Sequence, residues 1–324
     1  FCGLYGVWYP HARDARSFKD ALLGQCRGIV LAMRAVRRVN PRAKLVQTDD
    51  LGKTYSTPLL DYQARHNNEC RWLAWDLLCG RVNRHHPLWD WLTRACGASP
   101  RELDWFTTHP CPPDIIGVNH YVTSERYLDE HGEHYPPRYR GGNGRHAYAD
   151  IEAARVVEPP TDGLGRLLHE AWERYRLPMV ITEAHIDSTR DDQLRWLNEV
   201  WTAAQQARSE GVDLRAMTAW ALFGSYDWNC LVTACHGYYE PGAYDVRGGQ
   251  PRATAVAQLL RQLAAGHAPD HPVLSGPGWW RRPDRFFGRP AHLAGPATVA
   301  AAEAHRSKPL VRPILITGAT GTLG

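Results

Sequence analysis

The sequence contains no run of 18 or more apolar residues, so it offers no segment able to cross a bilayer as a helix. It has little imbalance of charge: 38 Lys and Arg stand against 34 Asp and Glu, for a formal charge of +4. Recognition of nucleic acid through a basic surface is not expected on that balance. Short clusters such as Arg37-Arg38 and Arg281-Arg282 read as solvated surface. None of the eight cysteines forms a Cys-x-x-Cys pair, and no two pairs have zinc-ligand spacing. Several lie in apolar helical patterns, as Cys26 and Cys79 do, which predicts buried, reduced thiols in a cytoplasmic protein. No secretory leader is visible in a sequence that opens on Phe1 rather than Met, and a leader lost upstream stays open.

Tryptophan is abundant, with 13 residues. Trp serves as a stacking platform in sugar-binding proteins and as filling in large cores, and the count alone favours the core. The length suits one large domain or two modest ones. Spacing of apolar residues predicts a helix over 17–39, with Ser17 as N-cap and Asp20 at the third helical position, stopped by Asn40-Pro41. A short strand follows over 44–48, leading to the polar loop Asp49-Asp50-Leu51-Gly52. Residues 72–78 and 88–92 read as helical. A second strand over 114–119 precedes a Gly- and Tyr-rich excursion, 127–148, and a helix over 164–175. A third apolar strand, 178–182, ends at Glu183. An amphipathic helix over 192–209 is closed by Gly211, a fourth strand covers 214–222, and a last helix covers 251–264.

Strand, polar loop and helix therefore recur four times, which predicts an α/β fold with a parallel sheet and right-handed crossovers. In a (β/α) barrel the chemistry sits at the C-terminal strand ends. Asp49, Asn119, Tyr121, Glu183, Trp220 and Asp227 fall at or near such ends. Val180-Ile181-Thr182-Glu183 puts a carboxylate on rigid backbone at the mouth of an apolar strand, a position that suits catalysis and that many barrels also fill for other reasons.

Three segments together resemble family 1 glycoside hydrolases. Residues 114–124, with Asn119-His120-Tyr121, resemble the Asn-x-Tyr end of that family's sixth strand. Thr182-Glu183 resembles its seventh-strand nucleophile motif. Residues 220–228, from Trp220 to Asp227-Trp228, resemble its eighth-strand segment, and 242–246 with Pro251-Arg252 resemble its C-terminal end. The resemblance covers roughly residues 1–265 and implies strands five to eight of a (β/α)8 TIM barrel. It implies Glu183 as nucleophile, Tyr121 as its hydrogen-bond donor, with Asn119 beside it, Trp220 as platform under a sugar, and Asp227 with Trp228 at the outer hydroxyls. A carbohydrate substrate is the partner it implies, with no cofactor and no metal in the barrel. The oligomeric state is not readable.

A retaining glycosidase needs a second carboxyl group, roughly 5–5.5 Å from the first. In the family it belongs to an Asn-Glu-Pro motif at the fourth strand, and no Asn-Glu-Pro occurs in this sequence. Phe1-Cys2-Gly3-Leu4-Tyr5-Gly6 aligns just after that motif, so the resemblance implies that the acid/base lies upstream, that this fragment is inactive alone, and that it is poorly soluble. Glu69, Glu125 and Asp50 could substitute, but each reads more simply as structural or surface. The sequence departs from the family at Ala184-His185, at Gly224-Ser225 and at Asp227, one methylene shorter than the usual Glu. These departures favour either a divergent specificity or a non-catalytic sugar-binding module. His185 with His120 or His236 has no metal-ligand spacing.

Residues 266–311 read as a linker or strap, rich in Pro, Gly and His. From 312 a strand, 313–317, runs into Gly318-Ala319-Thr320-Gly321-Thr322-Leu323-Gly324. A Gly-x-x-Gly-x-x-Gly turn after a strand lets backbone N–H groups approach a pyrophosphate. The wording resembles extended short-chain dehydrogenase/reductases such as dTDP-4-dehydrorhamnose reductases, and implies the truncated start (312–324) of a Rossmann domain for NAD(P), with Gly318, Gly321 and Gly324 at the cofactor.

Overall fold

A computed structural model describes residues 2–158, 161–288, 290–292 and 314–315. Along the chain lie α1 (Ala15–Val39), β1 (Val46–Asp50), β2 (Thr54–Ser56), α2 (Asp61–Cys70), α3 (Leu73–Leu78), α4 (Pro100–Thr108) and β3 (Ile115–His120). Next come β4 (Arg126–Asp129), β5 (Arg140–Gly142), β6 (Ala147–Glu152), β7 (Val157–Glu158) and α5 (Gly163–Tyr175). The chain continues through β8 (Met179–Ala184), α6 (Arg190–Ser209), β9 (Leu214–Ala219) and α7 (Ala255–Ala264). The Cα framework divides into two compact units: residues 1–50, 65–117 and 226–240, and residues 51–64, 118–225 and 241–324.

The first unit is helical around one core. Leu23, Cys26, Val30 and Met33 recur every three or four residues on α1 and meet Leu73, Leu77 and Leu78 of α3 and Leu103 and Phe106 of α4. The cap of α1 is Asp14 rather than the expected Ser17: its carboxylate accepts from the Ser17 amide and hydroxyl, each at 2.8 Å. One carboxylate thus meets two donors that a cap at Ser17 would leave to water, and the helix starts at Ala15. Helix α4 opens on a capping box, in which the Ser99 hydroxyl accepts from the Glu102 amide and Glu102 accepts from the Ser99 amide. Burial pushes the Cys26 thiol up to about 12, so it is inert filling at neutral pH. Cys79, expected to be buried as well, is only half-buried. Strand β1 begins beside β3, where the Leu45 carbonyl accepts from the Ile115 amide.

The second unit carries β8 and β9. The Leu51 amide, one residue past β1, donates to the Asn119 carbonyl at 3.2 Å. Strands β3, β8 and β9 are successive neighbours, and β8 and β9 run parallel. Helices α5, α6 and α7 are neighbours in turn, and α6 lies along β8 and β9. Leu194, Leu197, Val200, Ala204 and Ala207 form its buried stripe. Arg176, in a left-handed conformation, ends α5 ahead of Pro178, and Gly211, at φ +98°, terminates the turn after α6. The expected strand over 214–222 stops at Ala219. Its continuation is held by the segment after Pro241: the Ala221 carbonyl accepts from the Ala243 amide and the Leu222 carbonyl from the Tyr244 amide.

The excursion over 127–148 is a sheet in its own right, ordered β2-β4-β6-β5. Tyr127, Ala149 and Ile151 of this sheet are buried in one core cluster with Val157 of β7. The strap over 272–285 consists of three short 3-10 turns on α6, where Arg195 donates to the Val273 carbonyl and Arg281 pairs with Glu199 at 2.6 Å. The strand expected to open a separate domain is seen at Ile314–Leu315 (β15, counting the two-residue strands β10 at Ser225–Tyr226, β11 at Tyr239–Glu240, β12 at Tyr244–Asp245, β13 at Arg252–Ala253 and β14 at Ala291–His292), paired in parallel with β9. Gly318, Gly321 and Gly324 lie outside the described residues. No helix among the described residues is long and apolar enough to cross a membrane.

Because Leu77 is fully buried, Leu77→Ala is expected to lower unfolding free energy by about 2–5 kcal/mol. Val39→Ala, at a position 89% exposed, should stay within about 0.5 kcal/mol. Urea denaturation of both variants reads the difference.

Candidate active site

The site grows from an irregularity in β8. Ile181 pairs with Met217 of β9 and Ala184 pairs with Ala219, so two residues, Thr182 and Glu183, face the single Thr218. This is the geometry of a β-bulge, which re-aims side chains at a strand end. In a regular strand Thr182 and Glu183 would point to opposite faces. Here both reach residues of one parity at the end of β3. The Thr182 hydroxyl donates to Asn119 Oδ1 at 2.6 Å, and the Tyr121 hydroxyl donates to Glu183 Oε2. Tyr121 is itself fixed by its amide, which donates to Ser124 Oγ at 3.0 Å. Asn119, Tyr121, Thr182 and Glu183 are all half-buried, open enough to meet a ligand and packed enough to hold position.

Trp220 follows β9 directly, its amide donating to the Ala184 carbonyl at 3.2 Å, and the Trp220-Ala221 peptide is cis. Gly242 sits against this turn: a Cβ there would lie 2.4 Å from the Ala221 carbonyl oxygen and 2.6 Å from that of Phe223. Only glycine permits that approach. His185 shares a cavity of about 10 Å³ with Arg190 and Trp220, room for about one water. Burial, then the Arg190 charge, pushes the imidazole down to about 4, so it is neutral at physiological pH.

Asp227 and Trp228 belong to the first unit. Asp227 adopts a left-handed conformation, and its carboxylate accepts from the amides of His236 (3.1 Å), Gly237 (3.3 Å) and Tyr238 (2.9 Å). Burial raises its pKa, but the three N–H groups outweigh that and hold it below the ordinary carboxylate range. Trp228 lies 6.3 Å from Trp8, whose indole N–H donates to the Leu231 carbonyl. In the same unit burial pushes Asp49 up to about 7.

The three possible substitutes for an acid/base are placed differently. Glu125 is buried and accepts from the Tyr55 hydroxyl at 2.8 Å, the Thr161 hydroxyl at 2.7 Å and the Gly163 amide at 3.4 Å, a bracing role. Asp50 is exposed, and Glu69 is half-buried on α2. Among the described residues no group of three or more His, Cys, Asp or Glu could hold a metal ion. Thr182, Ser124 and Gly242 lie in the segments that carry the resemblance but have no individual role among the expectations. A Thr preceding a strand-end Glu is a readable signal; the bulge that brings it to Asn119 is not.

No protein-family model matches the sequence. Among solved structures, the fold is similar to the family 1 β-glucosidase from Thermotoga maritima, with a TM-score of 0.61, 16% identity, and coverage of 82% of this chain and 60% of that one. The same enzyme in complex with methoxycarbonyl-substituted glucoimidazole gives 0.62 at 16% identity, covering 83% and 61%. Its deoxynojirimycin complex gives 0.61 at 17%, covering 82% and 60%. The chain therefore has an α/β fold with a parallel sheet that matches part of a glycoside hydrolase TIM barrel, and it spans about three fifths of the length of these enzymes.

Two outcomes follow. Gly242→Ala forces backbone apart beside Trp220 and is expected to cost about 1–3 kcal/mol, read as a lowered Tm. His185 is held below its unfolded value of about 6.5, so the unfolded chain binds more protons between that value and about 4. Stability is complete above that window and falls as pH drops through it. His185→Gln should flatten this dependence in denaturation series between pH 4 and pH 7.

Proposed function

We propose that the chain is the nucleophile-bearing part of a retaining, β-glucosidase-like glycoside hydrolase, contributing strands five to eight of a (β/α)8 barrel. The observation that carries this reading is the hydrogen bond from Tyr121 to Glu183, set by the bulge in β8. A phenol donating to a carboxylate favours the ionised form that a nucleophile needs. Asn119, fixed by Thr182, would receive a sugar hydroxyl, and Trp220 would supply an aromatic face for the sugar's C–H groups. In the first half-reaction Glu183 forms the glycosyl ester as the aglycone leaves with a proton from a second carboxyl group. In the second, water, deprotonated by that same group, releases the sugar with retained configuration.

A second reading is favoured by Asp227. Its oxygens are taken up by three backbone amides, which suits a loop anchor better than a ligand for sugar hydroxyls. On that reading the unit is a sugar-binding module of a sugar-nucleotide reductase, whose NAD(P) site would begin at Gly318, Gly321 and Gly324.

The test is hydrolysis of an aryl β-glucoside by the natural full-length polypeptide. Turnover that Glu183→Gln lowers by several orders of magnitude supports the hydrolase. Saturable glucose binding without turnover, unchanged in Glu183→Gln, selects the binding module.

A further inference from the structure

The loop that runs from Asp227 to Tyr238 in the first unit carries two cysteines, Cys230 and Cys235. Cys235 is exposed and Cys230 half-buried, whereas Cys26, Cys96 and Cys111 are sealed in the helical core.

The loop is clasped at its base. The Asp227 amide donates to the Tyr238 carbonyl at 2.7 Å, and the Asp227 carboxylate accepts from the amides of His236, Gly237 and Tyr238. The residues just after Cys235 are thereby held on Asp227. Cys230 is held on it as well, through its amide, which donates to the Asp227 carbonyl at 3.3 Å. Between the two cysteines the chain folds back in a tight turn, where the Thr233 amide donates to the Cys230 carbonyl at 3.1 Å. Leu231 and Val232 are both left-handed there, at φ +53° and +54°, a conformation that a β-branched residue rarely adopts.

Inside this turn Cys230 Sγ lies 3.1 Å from the Asp227 carbonyl oxygen and 3.3 Å from that of Ala234. The sulfur therefore sits between the two limbs of the loop, against the peptide that joins Ala234 to Cys235. The Ala234 carbonyl oxygen and the Cys235 Cα belong to that one planar peptide and stand about 2.8 Å apart. Cys230 Sγ is thus within roughly 6 Å of the Cys235 Cα. Disulfides join cysteines whose Cα atoms are roughly 4.4–6.8 Å apart, a span that rotation of the exposed Cys235 side chain can close.

We propose that Cys230 and Cys235 form a thiol–disulfide exchange site, bridged by a low-molecular-weight disulfide and reopened by the corresponding thiol. Cys235, the exposed one, attacks a sulfur of the small disulfide as its thiolate. The small S–S bond breaks, one small thiolate leaves with the proton that Cys235 gave up, and a mixed disulfide stays on Cys235. The Cys230 thiolate then attacks Cys235 Sγ. The mixed bond breaks, the second small thiol leaves with the Cys230 proton, and the loop is bridged. Two protein thiols are oxidised and one small disulfide is reduced to two thiols. The bridge locks the turn whose Leu231 carbonyl accepts from the Trp8 indole N–H. It stands whether or not Glu183 is catalytic.

The test equilibrates the reduced, natural full-length polypeptide with reduced and oxidised glutathione at set ratios, quenches by alkylation and maps the tryptic peptides by mass. Both cysteines, and no other, fall on the tryptic peptide 216–247. The bridged peptide is two hydrogens lighter than the reduced one and takes up no alkyl group. The folded protein is expected to bridge with an equilibrium constant greater by roughly tenfold or more than the same protein in urea, because the fold raises the effective concentration of one thiol at the other. Cys235→Ser should abolish the bridged peptide while far-ultraviolet circular dichroism stays unchanged. A stable glutathione adduct in place of the bridge, no bridge at any ratio, or equal bridging in folded and urea-unfolded protein overturns the proposal.

Discussion

The hydrogen bond between Tyr121 and Glu183 is the interaction on which the site depends. Neither residue is adjacent to the other in sequence, and neither strand alone would bring them together. The bulge in β8 sets two residues of one strand against one of the next and turns adjacent side chains toward the same neighbour. Thr182 and Glu183 then act as a pair, one fixing Asn119 and the other receiving Tyr121. A carboxylate so held is pre-organised before any ligand arrives.

That local order is bought from the surrounding packing. Helix α6 buries its apolar stripe along β8 and β9, which fixes the register the bulge interrupts. Gly242 permits the segment after Pro241 to close on the turn beyond Trp220. His185 is held neutral by burial and by the Arg190 charge. The Asp227 loop is equally ordered, but by its own amides.

Much of this was legible in the sequence. Four apolar runs bounded by polar loops predict the strands, and all four are present within two residues of their expected starts. Periodicity finds α1, α5 and α6 because each buries a stripe. It misses the β4-β6-β5 sheet, because Gly141 and Gly142 break the alternation and β5 is wholly exposed. It also misses α4, although Ser99-Pro100-Arg101-Glu102 is a readable capping box. At the site, Glu183 and Tyr121 could be named from strand-end position and motif. Their contact could not, since it depends on a bulge that leaves no mark in composition. The role of Gly242 needed the close approach of two carbonyls that lie some twenty residues away in sequence.

The central claim is that Glu183 is a nucleophile. The most direct measurement is covalent labelling of the natural full-length polypeptide with a 2-deoxy-2-fluoro-β-glucosyl fluoride, which forms the glycosyl ester but hydrolyses slowly, followed by peptide mass mapping. The account predicts a single fluoroglucosyl adduct on the peptide containing Glu183, absent in Glu183→Gln. An adduct on another carboxylate, or aryl glucoside hydrolysis that leaves Glu183 unlabelled, would contradict it.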